Sequence, residues 1–234
     1  MGVNPIYRHE EKFLIGIPQY QMLKSMLSMV MHRDAYASLD GRYSIRSLYF
    51  DTMNNKDFFE KESGIEIRRK IRLRTYLPEA RDFKLEIKNR KNNGIYKESV
   101  YLTREEAKRF LMNPRDYNFL LNYNTDVARH LVGYFATESY HPVIIIDYER
   151  EAFTLPFYNI RITFDTALRA SRNVKDFFNV DSMFCPVLPW NEIILEIKYD
   201  FMIPDFLRRM LGTVPSQEMS ISKYCISRSV LEGM

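Results

Sequence analysis

Charged residues recur at every second position in several stretches of this 234-residue sequence, and that spacing decides what chemistry they can do. Side chains alternate faces along a β-strand, so residues two apart look the same way. Between Ile65 and Tyr76, one face carries Glu66, Arg68, Lys70, Arg72 and Arg74, and the other Ile65, Ile67, Arg69, Ile71 and Leu73. Downstream, Lys84, Glu86, Lys88 and Arg90 alternate with Phe83, Leu85 and Ile87. Glu192, Glu196 and Lys198 share a face opposite Ile193, Leu195 and Ile197, and Arg8, Glu10 and Lys12 line up near the start. Any one of these strands alone reads more readily as the wet face of a half-buried sheet. As a set they differ from that, because the faces are almost purely ionic and neighbouring like charges repel. A dense basic face is unfavourable unless an anion or interleaved carboxylates offset it. Guanidinium groups fork onto phosphate oxygens and lysines act as point charges, so a chain of phosphates suits them. Glutamates among the cations suit a divalent metal, Mg²⁺ or Mn²⁺, whose preferred ligands are hard carboxylate oxygens.

These faces need strands to hold them, and the hydrophobic period supplies the expected elements. Strands are expected over Arg8–Ile15, Tyr43–Asp51, Ile65–Tyr76, Phe83–Lys91, Ile95–Leu102, Val143–Phe153, Asn159–Leu168 and Glu192–Tyr199. Asn92-Asn93-Gly94 reads as the turn joining two of them. Helices are expected over Pro18–Met31, Asn55–Ser63 and Asp126–Thr137, and from about Pro204 and Ser216. A further helix, ending near Leu111, opens on the capping box Thr103-Arg104-Glu105-Glu106. Eight mostly antiparallel strands are enough to close a barrel. The expected fold is α+β: an eight-stranded antiparallel barrel with helices packed outside on the apolar faces and an ionic lumen, formed by a single domain over residues 1–234.

Composition removes other classes. Hydrophobic residues at 46% and charged residues at 27% are globular values, which excludes disorder. The longest aliphatic run, Val143–Ile146, falls far short of the roughly 20 residues that a membrane-spanning helix needs. No secretory leader is visible, and Ile6 stands where a myristoylation signal wants Ser or Thr. Cys185 and Cys225 fit no metal spacing, so a reduced, cytoplasmic chain is the expectation. His9, His32, His130 and His141 show no zinc spacing, and there is neither a Ser-His-Asp arrangement nor a Gly-rich phosphate loop. Aromatics do not interleave with the basic stripes as stacking platforms, which argues against nucleic acid.

Six short motifs occur in order: Arg72-Leu73-Arg74, Leu85-Glu86-Ile87-Lys88, Tyr148-Glu149-Arg150, Arg161-Ile162-Thr163-Phe164-Asp165-Thr166, Leu195-Glu196-Ile197-Lys198 and Ser222-Lys223-Tyr224. With Ser47-Leu48-Tyr49-Phe50-Asp51, they make the chain resemble the VTC domain from about Arg8 to Val230. That domain is the polyphosphate polymerase branch of the triphosphate tunnel metalloenzymes, which fold as an eight-stranded tunnel. The resemblance implies phosphate contacts at Lys12, Arg72, Arg74, Lys88, Lys97, Arg150, Arg161 and Lys223. It implies a principal metal carboxylate at Glu196 and a second at Glu10, where Glu10-Glu11-Lys12 stands in place of a fuller ExExK pattern. Eukaryotic members carry a further lysine where this chain has Ser220. The ionic strand faces add Arg8 and Lys198 as substrate-binding candidates.

The function implied is a metal-dependent phosphotransferase that moves the γ-phosphoryl of ATP onto the end of a polyphosphate chain. Phosphoryl transfer asks mainly for positioning and charge neutralisation, and a phosphate acceptor is already anionic, so no general base is needed. Two alternatives use the same residues. One is hydrolysis of inorganic or nucleoside triphosphate, with Glu10 orienting water; the other is a non-catalytic polyanion-binding module. Asp165 is expected to be the structural partner of an arginine, and Tyr49 and Tyr148 to be packing residues.

Overall fold

A computed structural model describes residues 9–34, 38, 40–76, 82–91, 94–212 and 218–233. Among them the chain forms β1 (His9–Gly16), α1 (Ile17–Val30), β2 (His32–Arg33), β3 (Arg42–Asp51), α2 (Lys56–Glu62), β4 (Arg68–Thr75), β5 (Asp82–Lys91) and β6 (Gly94–Thr103). There follow α3 (Arg104–Met112), α4 (Asp126–Glu138), β7 (His141–Leu155), β8 (Ile160–Ser171), β9 (Cys185–Pro186), β10 (Glu192–Tyr199), α5 (Asp205–Leu211) and α6 (Lys223–Glu232). The fold is α+β around one large antiparallel sheet. Its hydrogen-bonded order is β1-β10-β8-β7-β3-β4-β5-β6, with β2 on β7 and β9 on β8. The order ends at β1 and β6, and no pairing joins these two among the described residues. The sheet is therefore not shown closed, and the closed barrel expected from the strand count is not observed.

Two compact units divide the chain and interleave along it. The first draws on Met1–Ser44, Tyr148–Arg169 and Pro186–Ser222; the second draws on Ile45–Asp147, Ala170–Cys185 and Lys223–Met234. In the first, β1 pairs with β10 and β10 with β8. Their apolar faces, Phe13, Ile15, Ile162, Phe164, Ile193, Leu195 and Ile197, pack with Tyr20, Leu23 and Leu27 of α1 into one core. Gly16 leads into α1, and its N–H donates to Gln19 Oε1 at 3.0 Å, which satisfies one donor at the helix start. In the second unit β3, β4, β5 and β6 pair in sequence. Leu48, Phe50, Ile71, Leu73, Leu85 and Ile87 face Ala107 and Phe110 of α3 and Leu131 and Phe135 of α4. The capping box holds α3: Thr103 Oγ1 accepts from the Glu106 N–H at 3.2 Å, while Thr103 N–H donates to Glu106 Oε2 at 2.8 Å. In each unit the helices cover the apolar face, as the alternation implied.

Two expected boundaries move. The strand expected from Ile65 begins at Arg68, opposite Arg90 on β5; the Ile65 N–H instead donates to the carbonyl of Glu60 at 2.9 Å, which commits that backbone to the end of α2. Glu66 is therefore not part of the charged strand face, and Ile65 and Ile67 are exposed. The last helix begins at Lys223; Ser216 and the Asn92-Asn93 turn lie outside the described residues. Residues 218–222 are not helical, and the Met219 N–H donates to the carbonyl of Lys12 on β1 at 2.9 Å, which commits that backbone elsewhere. No helix among the described residues is long and apolar enough to cross a membrane.

Candidate functional site

In the second unit the charged face of β4 lies against that of β5. Arg68 stands opposite Arg90, Lys70 opposite Lys88, Arg72 opposite Glu86 and Arg74 opposite Lys84. Lys97 on β6 stands opposite Lys88. Lys70, Lys88 and Lys97 therefore occupy one register row across three strands. Directly opposed like charges destabilise a sheet, and here three of the four opposed β4–β5 pairs on this face are cation on cation. The repulsion is felt by Arg68, whose pKa is pulled down by burial and by Arg90.

Glu86 is the carboxylate inside this group. It is fully buried and accepts from Arg72 Nε at 2.7 Å and Lys97 Nζ at 3.0 Å, with Arg74 Nε at 3.9 Å. Burial would raise its pKa, but Arg72, Arg74 and Lys97 outweigh burial and hold the carboxyl well below the usual carboxylate range. Tyr49 on β3 accepts from Arg72 Nη1 at 3.1 Å. Arg69, on the other face of β4, donates to Glu138 at 2.6 Å and stacks 4.0 Å from the Tyr134 ring centroid. Its role is to fasten α4.

The first unit is arranged differently. Across β1, β10 and β8, Lys12 lies opposite Glu196 and Glu196 opposite Thr163; one row along, Glu10 lies opposite Lys198 and Lys198 opposite Arg161. Lys12 Nζ is 2.8 Å from Glu10 and 3.8 Å from Glu196; Lys198 Nζ is 3.6 Å from Glu10 and 3.4 Å from Glu196. Arg150, nearly buried, makes a two-pronged bond to Asp165 at 2.6 and 2.7 Å and lies 3.6 Å from Glu196 Oε2. Burial works against its charge, but Asp165 dominates and pushes the guanidinium pKa further up. Arg161 pairs with Asp34 and donates to the Tyr43 hydroxyl at 2.9 Å. Four cations here meet four carboxylates, whereas the second unit sets one carboxylate among many cations.

Eleven of the twelve sequence candidates thus fall in two groups. Lys12, Arg150, Arg161, Lys198, Glu10 and Glu196 gather in the first unit, and Arg72, Arg74, Lys88 and Lys97 in the second. Lys223 belongs to the second unit as the first residue of α6. Arg8 lies outside the described residues. Glu86, Lys70 and Lys84 were missed as site residues, although their places in the alternation were visible. Asp34 and Tyr43, the partners of Arg161, gave no local signal.

Glu10 and Glu196 are diagonal neighbours on β1 and β10 that share Lys12 and Lys198. Among the described residues no group of three or more His, Cys, Asp or Glu could hold a metal. A small hard cation commonly takes one or two carboxylates and completes its shell with water and substrate phosphate oxygens. Glu10 and Glu196 fit that donor set.

The protein-family model named VTC domain matches residues 7–232. A comparison with curated proteins finds no match. Among solved structures, the chain is similar to the Hippeastrum protein HpAC1, described as revealing a dominant triphosphatase activity, at 14% identity with a TM-score of 0.58, covering 94% of this chain and 95% of that one. A Bacillus halodurans protein aligns at 16% identity and TM-score 0.53 over 90% of this chain and 95% of its own. A Pyrococcus horikoshii protein aligns at 14% identity and TM-score 0.51 over 97% of this chain and 100% of its own. These three show a shared fold. The family match spans nearly the whole chain and agrees with the cationic strand faces just described, so the chain belongs to the VTC domain family.

Proposed function

We propose that the protein is a metal-dependent phosphotransferase of the polyphosphate polymerase type, taking the γ-phosphoryl of ATP onto the end of a polyphosphate chain. The observation that carries this reading is the row Lys70–Lys88–Lys97, with Arg68 facing Arg90 and Arg74 facing Lys84 beside it. Such a face is unfavourable when bare and relieved by a polyanion, and a run of phosphates matches its spacing of charges along and across strands.

Within this reading the residues divide the work. Arg72 and Arg74 fork onto phosphate oxygens, and the lysines of the row neutralise charge along the chain. Glu86 fixes Arg72 and Lys97 so that little reorganisation accompanies binding. In the first unit Lys12, Lys198, Arg150 and Arg161 also offer phosphate contacts, and Glu10 with Glu196 would hold a divalent cation. When bound, Mg²⁺ or Mn²⁺ would neutralise charge on the phosphate oxygens. Asp165 keeps Arg150 in place rather than acting as a base, since both its oxygens are engaged. The acceptor phosphate needs no deprotonation, which matches carboxylates that, in each unit, are tied to cations.

Incubation of the purified protein with ATP and Mn²⁺ separates the outcomes. Long-chain polyphosphate supports the polymerase reading. Free phosphate alone would place the activity with hydrolysis, as described for the Hippeastrum protein. Tripolyphosphate binding without turnover would mean a polyanion-binding module.

A further inference from the structure

Two of the motifs carry tyrosines with no role in the phosphate chemistry as described so far: Tyr49, in Ser47–Asp51 on β3, and Tyr224, next to Lys223 at the start of α6. The fold brings them together inside the second unit. Tyr49 and Asp51 are two apart on β3 and share a face. The Tyr49 ring stacks on that of Tyr224, with centroids 5.2 Å apart and planes 20° from parallel. The Tyr224 hydroxyl donates to Asp51 Oδ2 at 2.5 Å, across 173 residues of sequence. Asp51 is itself locked, because it accepts the backbone N–H groups of Thr52, Asp57 and Phe58 at 2.7, 2.9 and 3.1 Å. Arg228, one turn along α6, donates to the Tyr224 hydroxyl at 3.1 Å, to Asn55 at 3.0 Å and to Glu232 at 2.7 Å.

The other side of this assembly touches the cations. Arg72 Nη1 donates to the Tyr49 hydroxyl while its Nε donates to Glu86, so the guanidinium plane is held from β3 and β5 at once. Lys70 Nζ lies 5.3 Å from the Tyr224 ring centroid, within reach of a cation–π contact. A packing role for Tyr49 would need only its ring. The hydroxyl is what reaches Arg72, in a field of Arg72, Arg74 and Lys70 that outweighs burial and brings the phenol below its usual range.

We propose that Tyr49 is a positioning residue for Arg72, and that Tyr224, anchored by Asp51, holds Tyr49 in place, so that docking of α6 and phosphate binding at Arg72 are thermodynamically linked. The inference rests on the phosphate-binding reading above. It gives α6, which opens with Lys223, a stake in the same ligand: a phosphate chain that orders Arg72 also holds α6 down.

The test uses the full chain, tripolyphosphate without metal, and Tyr49→Phe, which keeps the stacked rings and deletes only the hydroxyl. Calorimetric affinity should fall by about tenfold, in line with one lost charge-assisted bond. The same substitution added to Arg72→Ala should cost almost nothing more. Backbone amides of 223–232 should gain hydrogen-exchange protection when wild type binds tripolyphosphate and gain much less in Tyr49→Phe. Tyr224→Phe should weaken binding in the same direction; if it fails to fold, Tyr49→Phe still decides. A Tyr49→Phe affinity within about twofold of wild type, below what such a bond supplies, would overturn the linkage while leaving the phosphate reading intact. Losses that simply add in the double variant would do the same. Wild type that binds no tripolyphosphate would overturn both.

Discussion

Arg72 and Glu86 face each other across β4 and β5 and form the one oppositely charged pair among the four opposed pairs on that face. Glu86 accepts from Arg72 at 2.7 Å and from Lys97 at 3.0 Å. An enzyme that binds polyanions could dispense with a carboxylate here, since it weakens the positive field. On the phosphate-binding reading proposed above, its bonds to Arg72 and Lys97 favour aim over added charge.

Glu86→Gln should therefore destabilise the free protein by about 3 kcal/mol, the usual scale for breaking a buried ion pair. The folded pKa of Glu86 lies below its ordinary value of 4.5, so its contribution is present above the usual carboxylate range and is lost as pH falls below it. Urea unfolding of wild type and variant from pH 6 to pH 2 should show the stability gap narrowing in acid. A gap independent of pH would mean that Glu86 acts by shape rather than charge.

Arg72→Ala and Arg74→Ala should each weaken tripolyphosphate binding by roughly 1.5 to 3 kcal/mol, the worth of a charge-assisted contact. Arg69→Ala, which loses Glu138 and Tyr134 on the opposite face, should lower the melting temperature and leave affinity alone. Titration calorimetry on the three variants checks this; equal losses for Arg69 and Arg72 would contradict the division of faces.

Saturating tripolyphosphate should raise the melting temperature, by the equivalent of about 2.7 kcal/mol at a hundred times its dissociation constant. The shift should grow as salt is lowered, because like-charge repulsion is then less screened. A neutral-sugar monophosphate should move it little. Scanning fluorimetry at two ionic strengths suffices.

Glu196→Gln should abolish metal-dependent turnover while metal-free tripolyphosphate binding survives or tightens, since one negative charge leaves the group around Lys12, Lys198 and Arg150. If Glu196 served only to hold those cations, the variant would be less stable yet respond to Mn²⁺ as wild type does. Turnover against Mn²⁺ concentration, with melting temperature alongside, distinguishes the two.

Asp57, buried at the start of α2, accepts from the Tyr140 hydroxyl at 2.8 Å. Its pKa is pushed up to about 8 by burial and then by Asp51, with Glu60 adding and Arg69 opposing. The folded state therefore keeps a proton that the unfolded chain releases near 3.8. Stability should fall as pH rises between about 4 and about 8, by at most about 1.4 kcal/mol per unit. Asp57→Asn, which mimics the protonated acid, should flatten that slope in chemical denaturation.

Much of this was legible locally. Period-two alternation placed β10 at Glu192–Tyr199 and separated Arg69 from Arg72, because it depends only on the pleat. The capping box located the start of α3, because it needs only Thr103 and Glu106 three residues apart. Ile65–Ile67 alternate like a strand but lie outside β4, since the Ile65 N–H is taken by the end of α2, which alternation does not show. The stack of Tyr49 on Tyr224 and the pairing of Arg161 with Asp34 join residues far apart in sequence, so no spacing rule could reveal them. Closure of the sheet depends on pairing between β1 and β6, and strand number alone does not supply it.

The pairing of β1 with β10 has a consequence in time. His9 lies opposite Tyr199, so β1 leaves the ribosome well before its partner β10 is made. At roughly 5 to 20 residues per second, that delay is on the order of 10 to 40 s. Throughout it Phe13 and Ile15, core residues of the first unit, have no strand partner to cover them. The second unit likewise waits for α6 to bring Tyr224 to Asp51. The nascent chain thus exposes an apolar, unpaired strand until β10 has emerged, and slow elongation between the two should favour aggregation through that segment.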